Sequence, residues 1–305
     1  MEDAPILLTG ASGFLGRAII ERLLALNQRV VCLGRSQSEI IAYWLTTYPG
    51  QVEWIETPDG LVPPEALAGR SFQSVVHLAS FVPSSGGENR WENLGAIQRA
   101  MLDSTISLLE AVAGKTAHVV LASSVAVYGR GHSGHLDEQT LPEPTDLYGL
   151  FKLTAEGLVR LFSLRANIPA ALLRPTQLYG PSEPHGIFLQ KFFIPAALAD
   201  QPIRLVKGGR EVKDLLWIDD AADIFVAATQ RRIDGVYNVS SGRGVTVRQL
   251  AELVQNLTGN RRLSEVSDDG SAVSDQVFSN EKVLRYLGVS PKISIEEGVA
   301  LLCQR

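Results

Sequence analysis

Eight residues near the start of the chain, Thr9-Gly10-Ala11-Ser12-Gly13-Phe14-Leu15-Gly16, constrain its fold more than any other segment. They join an apolar run, Ile6 to Thr9, that reads as a strand to a stretch, Phe14 to Leu26, whose apolar residues recur at helical spacing. Glycines at such a junction permit a tight turn, close backbone approach to a pyrophosphate and close packing of helix on strand. The helix N-terminus adds free N–H groups and a positive dipole end. A glycine trio alone is weak evidence; with a strand before it and a helix after it, it predicts a dinucleotide site.

The pattern continues as a parallel sheet would require. Arg29 to Leu33, Val52 to Ile55, Ser74 to Leu78, His118 to Ala122 and Ala170 to Leu173 read as further strands, and Trp91 to Val112 and Asp146 to Ala166 as helices between them. The expected fold is therefore α/β: a Rossmann-type, doubly wound parallel sheet. After Tyr179-Gly180-Pro181 the order becomes irregular. Helices are expected at Phe188 to Ala199, from Asp219, and at Thr246 to Leu257, Asn280 to Leu287 and Ile295 to Leu302, with strands at Ile203 to Val206 and Asp214 to Trp217. With 305 residues there is room for a dinucleotide-binding domain over 1–175 and a smaller, interleaved substrate lobe over 176–305, some of whose segments return to the sheet.

Composition narrows the function classes. The net charge is -5 with no Lys/Arg-rich run, so nothing supplies the positive surface a nucleic-acid partner needs. Cys32 and Cys303 are the only cysteines, and no disulfide framework is indicated. No apolar run reaches membrane-spanning length, and the first apolar run begins by Pro5 without a basic segment or cleavage site before it; a cytoplasmic protein without membrane contact is expected. His132 and His135 lack Cys or carboxylate partners at ligand spacing, so no metal site is expected. Trp44, Trp54, Trp91 and Trp217 are expected in the core or at the lobe interface.

The end of the second strand addresses the choice of dinucleotide. In an NAD site an acidic residue there accepts hydrogen bonds from the adenosine ribose; this chain reads Leu33-Gly34-Arg35-Ser36. Gly34 takes the acid's position, and Arg35 can meet a 2′-phosphate with a bidentate fork, with Ser36 adding a hydroxyl donor. NADP(H) is favoured, and NAD(H) stays open.

Tyr148 and Lys152, four apart in a helical pattern, share a helix face. A nearby ammonium is expected to lower the tyrosine pKa, fitting Tyr148 for general acid/base work near neutral pH. Ser123-Ser124 follow a strand that ends at the same sheet edge as the glycine turn.

Together with Val76-His77-Leu78-Ala79, Tyr148-Gly149-Leu150-Phe151-Lys152, Arg174-Pro175-Thr176-Gln177-Leu178-Tyr179-Gly180-Pro181, Gly208-Gly209-Arg210-Glu211-Val212-Lys213-Asp214, Tyr237-Asn238-Val239 and Ile293-Ser294-Ile295-Glu296-Glu297-Gly298, these segments resemble the extended short-chain dehydrogenase/reductase family over nearly the whole chain. That group includes UDP-galactose 4-epimerase and the nucleotide-sugar dehydratases. The resemblance implies that Ser124 hydrogen-bonds the reacting oxygen, Tyr148 exchanges the proton and Lys152 also holds the nicotinamide ribose. It further implies that Gly10, Ser12, Gly13, Phe14, Leu15, Gly16, Leu78 and Ala79 cradle the cofactor. Two departures touch the substrate pocket: Phe151 replaces a small residue, and Met101-Leu102-Asp103-Ser104-Thr105 replaces Asn-x-x-Gly-Thr.

The same resemblance makes a nucleotide-linked sugar the expected small-molecule substrate. Gln177 stands for a frequent Asn and Lys213 for a frequent Arg, and Ser84 and Ser85 follow the fourth strand within reach of substrate hydroxyls. No arginine occurs in Glu265 to Asp275, where the family supplies a second diphosphate contact; Arg261 and Arg262 lie earlier. Dehydratases of the family carry Asp-Glu after the catalytic hydroxyl, because elimination needs an extra acid and base. Val125-Ala126 stand here, which disfavours dehydration and sugar-acid decarboxylation. The leading expectation is an NADP(H)-dependent reductase of a nucleotide-linked 4-keto sugar. The alternatives are a 4-epimerase with tightly bound NAD(P) and, from another class, a non-catalytic dinucleotide sensor; a homodimer is compatible with each.

Overall fold

The computed structural model describes residues 4–81, 90–183, 188–266, 270 and 273–304. β1 (Ile6–Thr9) runs through the glycine turn into α1 (Phe14–Ala25), followed by β2 (Val30–Gly34), α2 (Glu39–Thr47), β3 (Val52–Glu56) and β4 (Ser74–His77). A short turn at Trp91–Asn93, α3 (Leu94–Gln98), a π-helical turn at Arg99–Asp103 and α4 (Ser104–Val112) lead to β5 (Val119–Ala122). Next come a 3-10 turn at Val125–Tyr128, β6 (His135–Leu136), α5 (Leu147–Ala166), β7 (Ala170–Pro175) and β8 (Gln177–Tyr179). A second π-helical turn, Leu189–Phe193, precedes α6 (Ile194–Leu198), β9 (Ile203–Val206), β10 (Val212–Trp217), α7 (Ile218–Arg231) and β11 (Gly235–Val239). The chain closes with β12 (Gly244–Thr246), α8 (Val247–Thr258), β13 (Leu263–Val266), β14 (Val277–Phe278), α9 (Glu281–Leu287) and α10 (Ile295–Cys303).

Seven strands form one parallel sheet in the order β11-β7-β5-β4-β1-β2-β3. Helices cover both faces, so the central strands β1, β2 and β5 read as near-continuous apolar runs rather than alternating ones, while the edge strand β3 exposes Glu53 and Glu56. Ile6, Leu8, Val76, Val120 and Leu173 pack beneath α1, α7 and α9, while Leu7, Val75, Val119, Leu121 and Leu172 face α4 and α5. The order of connections reverses between β1 and β4, and a cleft opens at the carboxyl ends of the strands at such a switch point.

A second apolar cluster, including Tyr179, Leu189, Phe193, Ile203, Leu215, Trp217, Leu250, Val254 and Val299, holds the smaller lobe together around β8, β10 and α8. On the sheet face that they share, α1 and α7 are joined by ion pairs of Arg22 with Asp219 (3.0 Å) and Asp223 (2.5 Å).

The expected helix over Trp91 to Val112 is interrupted by the π turn. Its extra residue shifts the helical phase, so that Ile97 and Met101 face α5 while Leu108, Ala111 and Val112 face the sheet. α2 was not apparent from periodicity because only Ile41 and Trp44 of its residues are buried. Trp44 and Trp217 are core residues as expected, whereas Trp91 is 73% exposed. Among the described residues no helix is long and apolar enough to cross a membrane.

Candidate active site

The glycine turn is built for a ligand to approach its backbone. Gly13 N–H donates to Gly10 O at 3.0 Å, and any side chain at Gly16 would overlap that carbonyl and stand 2.8 Å from Ala11 O. Gly13 caps α1 with no side-chain hydrogen bond, and no acid lies in the first turn. The helix N-terminus therefore keeps its positive end for an anion.

A buried hydrogen-bond chain fixes the neighbouring strand ends. Thr9 Oγ1 accepts from the N–H groups of Leu78 (3.2 Å) and Ala79 (3.1 Å), so its own O–H must donate to His77 Nδ1 at 2.8 Å. His77 is thus neutral with its proton on Nε2, which donates to Thr105 Oγ1 (3.0 Å); Thr105 in turn donates to Met101 O (2.6 Å). Burial drives the His77 pKa down to about 3, in keeping with an imidazole that serves as a strut, not a base.

Ser124, Tyr148 and Lys152 meet at the end of β5. Asp146 caps α5 by accepting from Gly149 N–H at 2.8 Å. Gly149 lets that helix lie on the 3-10 turn: a Cβ there would overlap Ala126 O and stand 3.0 Å from its carbonyl carbon. This contact brings the Tyr148 hydroxyl into a hydrogen bond with that of Ser124. Ser124 Oγ also accepts from Ala126 N–H at 3.1 Å, which holds its rotamer.

The expected lowering of the tyrosine pKa does not occur among the protein's own groups. Tyr148 is pushed up to about 12, chiefly because burial penalises the phenolate, with the Ser124 hydrogen bond opposing and Asp146 adding to the rise. Lys152 Nζ is 5.7 Å from the ring centre and donates to Ala122 O at 2.6 Å. Burial also brings its own pKa down to about 8, partly offset by the Glu156 charge. Tyr148 is thus a proton donor at neutral pH, and Lys152 a weakly held ammonium.

Behind Lys152 lies a group that sequence reading passed over. Glu156, 1% exposed, accepts from Arg174 at both oxygens (2.8 and 2.7 Å) and from Ser123 Oγ at 2.5 Å. The Ser123 hydroxyl is therefore engaged, leaving Ser124 as the one turned to Tyr148. The signal for Glu156 was its spacing, one helical turn past Lys152 on the same face.

One cleft of about 1550 Å³ connects these groups. Gly10, Ser12, Gly13, Phe14, Leu15, Gly16, Arg35, Ser36, Leu78, Ala79, Ser124, Tyr148, Lys152 and Gln177 all line it, so the nominated cofactor and catalytic residues share a continuous surface. An uncapped helix N-terminus, a glycine cradle and a proton donor at the far end fit a nicotinamide dinucleotide. Lys213 lies apart, in an adjoining chamber that meets the cleft at Ser124, Thr176 and Gln177; there it pairs with Glu211 at 2.8 Å. Ser84 and Ser85 lie outside the described residues. Phe151 turns from the cleft into a cluster with Ile97, Met101 and Leu147. Arg99, Lys191 and Phe192 line the cleft without having been singled out from sequence. The two cations come from the two π turns, which carry no Gly or Pro to announce them.

The NAD dependent epimerase/dehydratase family model matches residues 6–267. A dTDP-L-rhamnose 4-epimerase of Burkholderia thailandensis is 25% identical over 99% of this chain and 94% of that protein. A dTDP-glucose 4,6-dehydratase of Xanthomonas campestris pv. campestris is 25% identical over 97% of this chain and 91% of that one. Among solved structures, MoeE5 in complex with UDP-glucose and NAD superposes with a TM-score of 0.84 at 26% identity, covering 99% of this chain and 98% of that chain.

Proposed function

We propose, from the premise that this chain belongs to the NAD dependent epimerase/dehydratase family, that it is a 4-epimerase of a nucleotide-linked sugar. The single observation that carries the reading is the Ser124–Tyr148 hydroxyl pair, one proton-transfer group with no second acid in the two positions after Ser124. Inverting a carbinol carbon needs one proton carrier used in both directions, whereas elimination of water needs another acid and base. The 4-epimerase among the relatives supports this over the net ketoreduction expected from sequence, and the whole set makes a non-catalytic sensor the weaker account.

A bound nicotinamide dinucleotide supplies the acceptor and donor of the hydride. Ser124 orients the sugar hydroxyl toward Tyr148, which accepts that proton as the phenolate, its own proton having first left for solvent through the cleft, and returns the transferred proton as the carbonyl is reduced again. The Lys152 ammonium, held by Ala122 O, favours the phenolate at the moment of transfer. Glu156 and Arg174 keep the Lys152 helix and the Ser123–Ser124 strand end in register. Gln177 at the cleft's far end is assigned to the substrate, and Lys213 to the same ligand through the adjoining chamber.

Net reduction with NADPH is retained as the second reading, because Arg35 stands exposed at the adenosine end. The purified protein, given UDP- and dTDP-linked hexoses, should interconvert C4 epimers by proton NMR with no net change in cofactor absorbance. Stoichiometric loss of NADPH absorbance with 4-keto sugars, and no epimer exchange, would establish the reductase instead.

A further inference from the structure

Gly34, at the end of β2, lies under a side chain of the neighbouring strand. β2 and β3 pair in parallel with Cys32 opposite Trp54, so Trp54 and Gly34 project from the same face of the sheet two residues apart along it. The Trp54 indole leans over Gly34: a Cβ on Gly34 would overlap its Cη2 and stand 3.2 Å from Cζ3. These are atoms of a rigid ring with two rotatable bonds, and the ring packs against the core beneath α1. Its Nε1 is buried with no hydrogen-bond partner among the described residues, and the ring is held by apolar packing over Gly34.

We propose that Trp54 acts on cofactor selectivity by keeping position 34 a glycine. It excludes any side chain from position 34 and so removes the carboxylate that would accept from the adenosine ribose hydroxyls. The ribose end is left to Arg35, whose Cγ and Cδ pack 3.8 Å from the place where a Gly60 side chain would begin. No ion pair of Arg35 occurs among the described residues. Asp59, on the same wall, turns one carboxylate oxygen to the Leu61 N–H at 3.0 Å. The site therefore takes the 2′-phosphorylated dinucleotide in preference to NAD. The inference rests on the cleft binding a nicotinamide dinucleotide at all, and goes beyond that reading by naming what decides between the two.

Calorimetric titration of the purified full chain with NADPH and NADH tests it without reference to turnover, using wild type, Trp54→Val, Gly34→Asp and the double variant. Wild type and Trp54→Val are expected to bind NADPH at least tenfold more tightly than NADH. Gly34→Asp alone should lose at least tenfold for both, or fail to fold. The double variant, with the indole gone, should fold by circular dichroism and bind NADH more tightly than NADPH. A wild type that prefers NADH, or a Gly34→Asp protein that binds NADH as well as the double variant does, overturns the role of Trp54 while leaving the dinucleotide site standing. A folded double variant that still prefers NADPH overturns it as well. A folded wild type that binds neither compound removes the dinucleotide reading and the inference with it.

Discussion

Lys152 Nζ donates to the carbonyl oxygen of Ala122 at 2.6 Å, tying α5 to the last residue of β5 just before Ser123 and Ser124. The bond orients the ammonium but does not replace the water it lost on burial, and the Lys152 pKa falls from 10.5 to about 8. An unfolded chain thus keeps a proton on this lysine through a pH range where the folded chain has lost it. Stability should rise with pH above about 8 by about 1.4 kcal/mol per pH unit from this group. Tyr148 acts oppositely above pH 10, because its folded pKa of about 12 lies above the unfolded value. Buried Cys32, pushed up to about 12, lowers stability over the same range in any variant that keeps it, so urea unfolding at about pH 8 and about pH 9.5 should show a change more favourable in wild type than in Lys152→Met by about 2 kcal/mol. Equal slopes in the two proteins would mean that the buried lysine is not depressed.

Tyr148→Phe keeps the ring and removes only the proton carrier. Turnover should fall by at least about a hundredfold, the lower end of general acid/base contributions, with dinucleotide affinity changed less than about twofold. Epimer exchange by NMR and calorimetry on the same protein check the two halves. Retention of most activity would take Tyr148 out of the mechanism.

Arg35→Ala should weaken NADPH binding by about tenfold to a hundredfold, the equivalent of about 1.5 to 3 kcal/mol for a hydrogen bond to a charged group, and NADH binding far less. Parallel titrations decide it. Equal losses for the two cofactors would place Arg35 away from the 2′ position.

What could be read from the sequence was what is local along the chain. The glycine turn announced itself because its strand, turn and helix are contiguous, and Tyr148 and Lys152 because four residues separate them on one helix. Glu156 continues the same face, yet an acid in a helix ordinarily reads as a solvated charge; only Arg174, 18 residues away, makes it a buried one. The Gly34–Trp54 contact crosses between strands, so the sequence showed a glycine at the acid's position without revealing the indole packed over it. The π turns leave no compositional mark, and Arg99 and Lys191 went unnoticed with them. The tyrosine pKa was misjudged because spacing conveys the neighbouring charge but not the burial that outweighs it.

Ser123 and Ser124 are adjacent, chemically identical and both buried, yet the structure gives them different work. Ser123 donates to Glu156, a hydrogen bond to a charged acceptor in the interior, worth about 1.5 to 3 kcal/mol. Ser124 is hydrogen-bonded to the Tyr148 hydroxyl at the cleft wall, where it can hold a substrate oxygen as charge develops on it. Ser123→Ala should accordingly lower unfolding free energy by about 1.5 to 3 kcal/mol while keeping kcat within about threefold, since the Arg174–Glu156 pair remains. Ser124→Ala should cost about a hundredfold to a thousandfold in kcat, the range seen when one oxyanion donor is lost, with unfolding free energy changed by less than about 1.5 kcal/mol. Chemical denaturation and steady-state epimerisation on the two variants separate the effects. The opposite pattern, with activity lost at Ser123 and stability lost at Ser124, would exchange their roles and with them the assignment of the hydroxyl that meets the reacting oxygen.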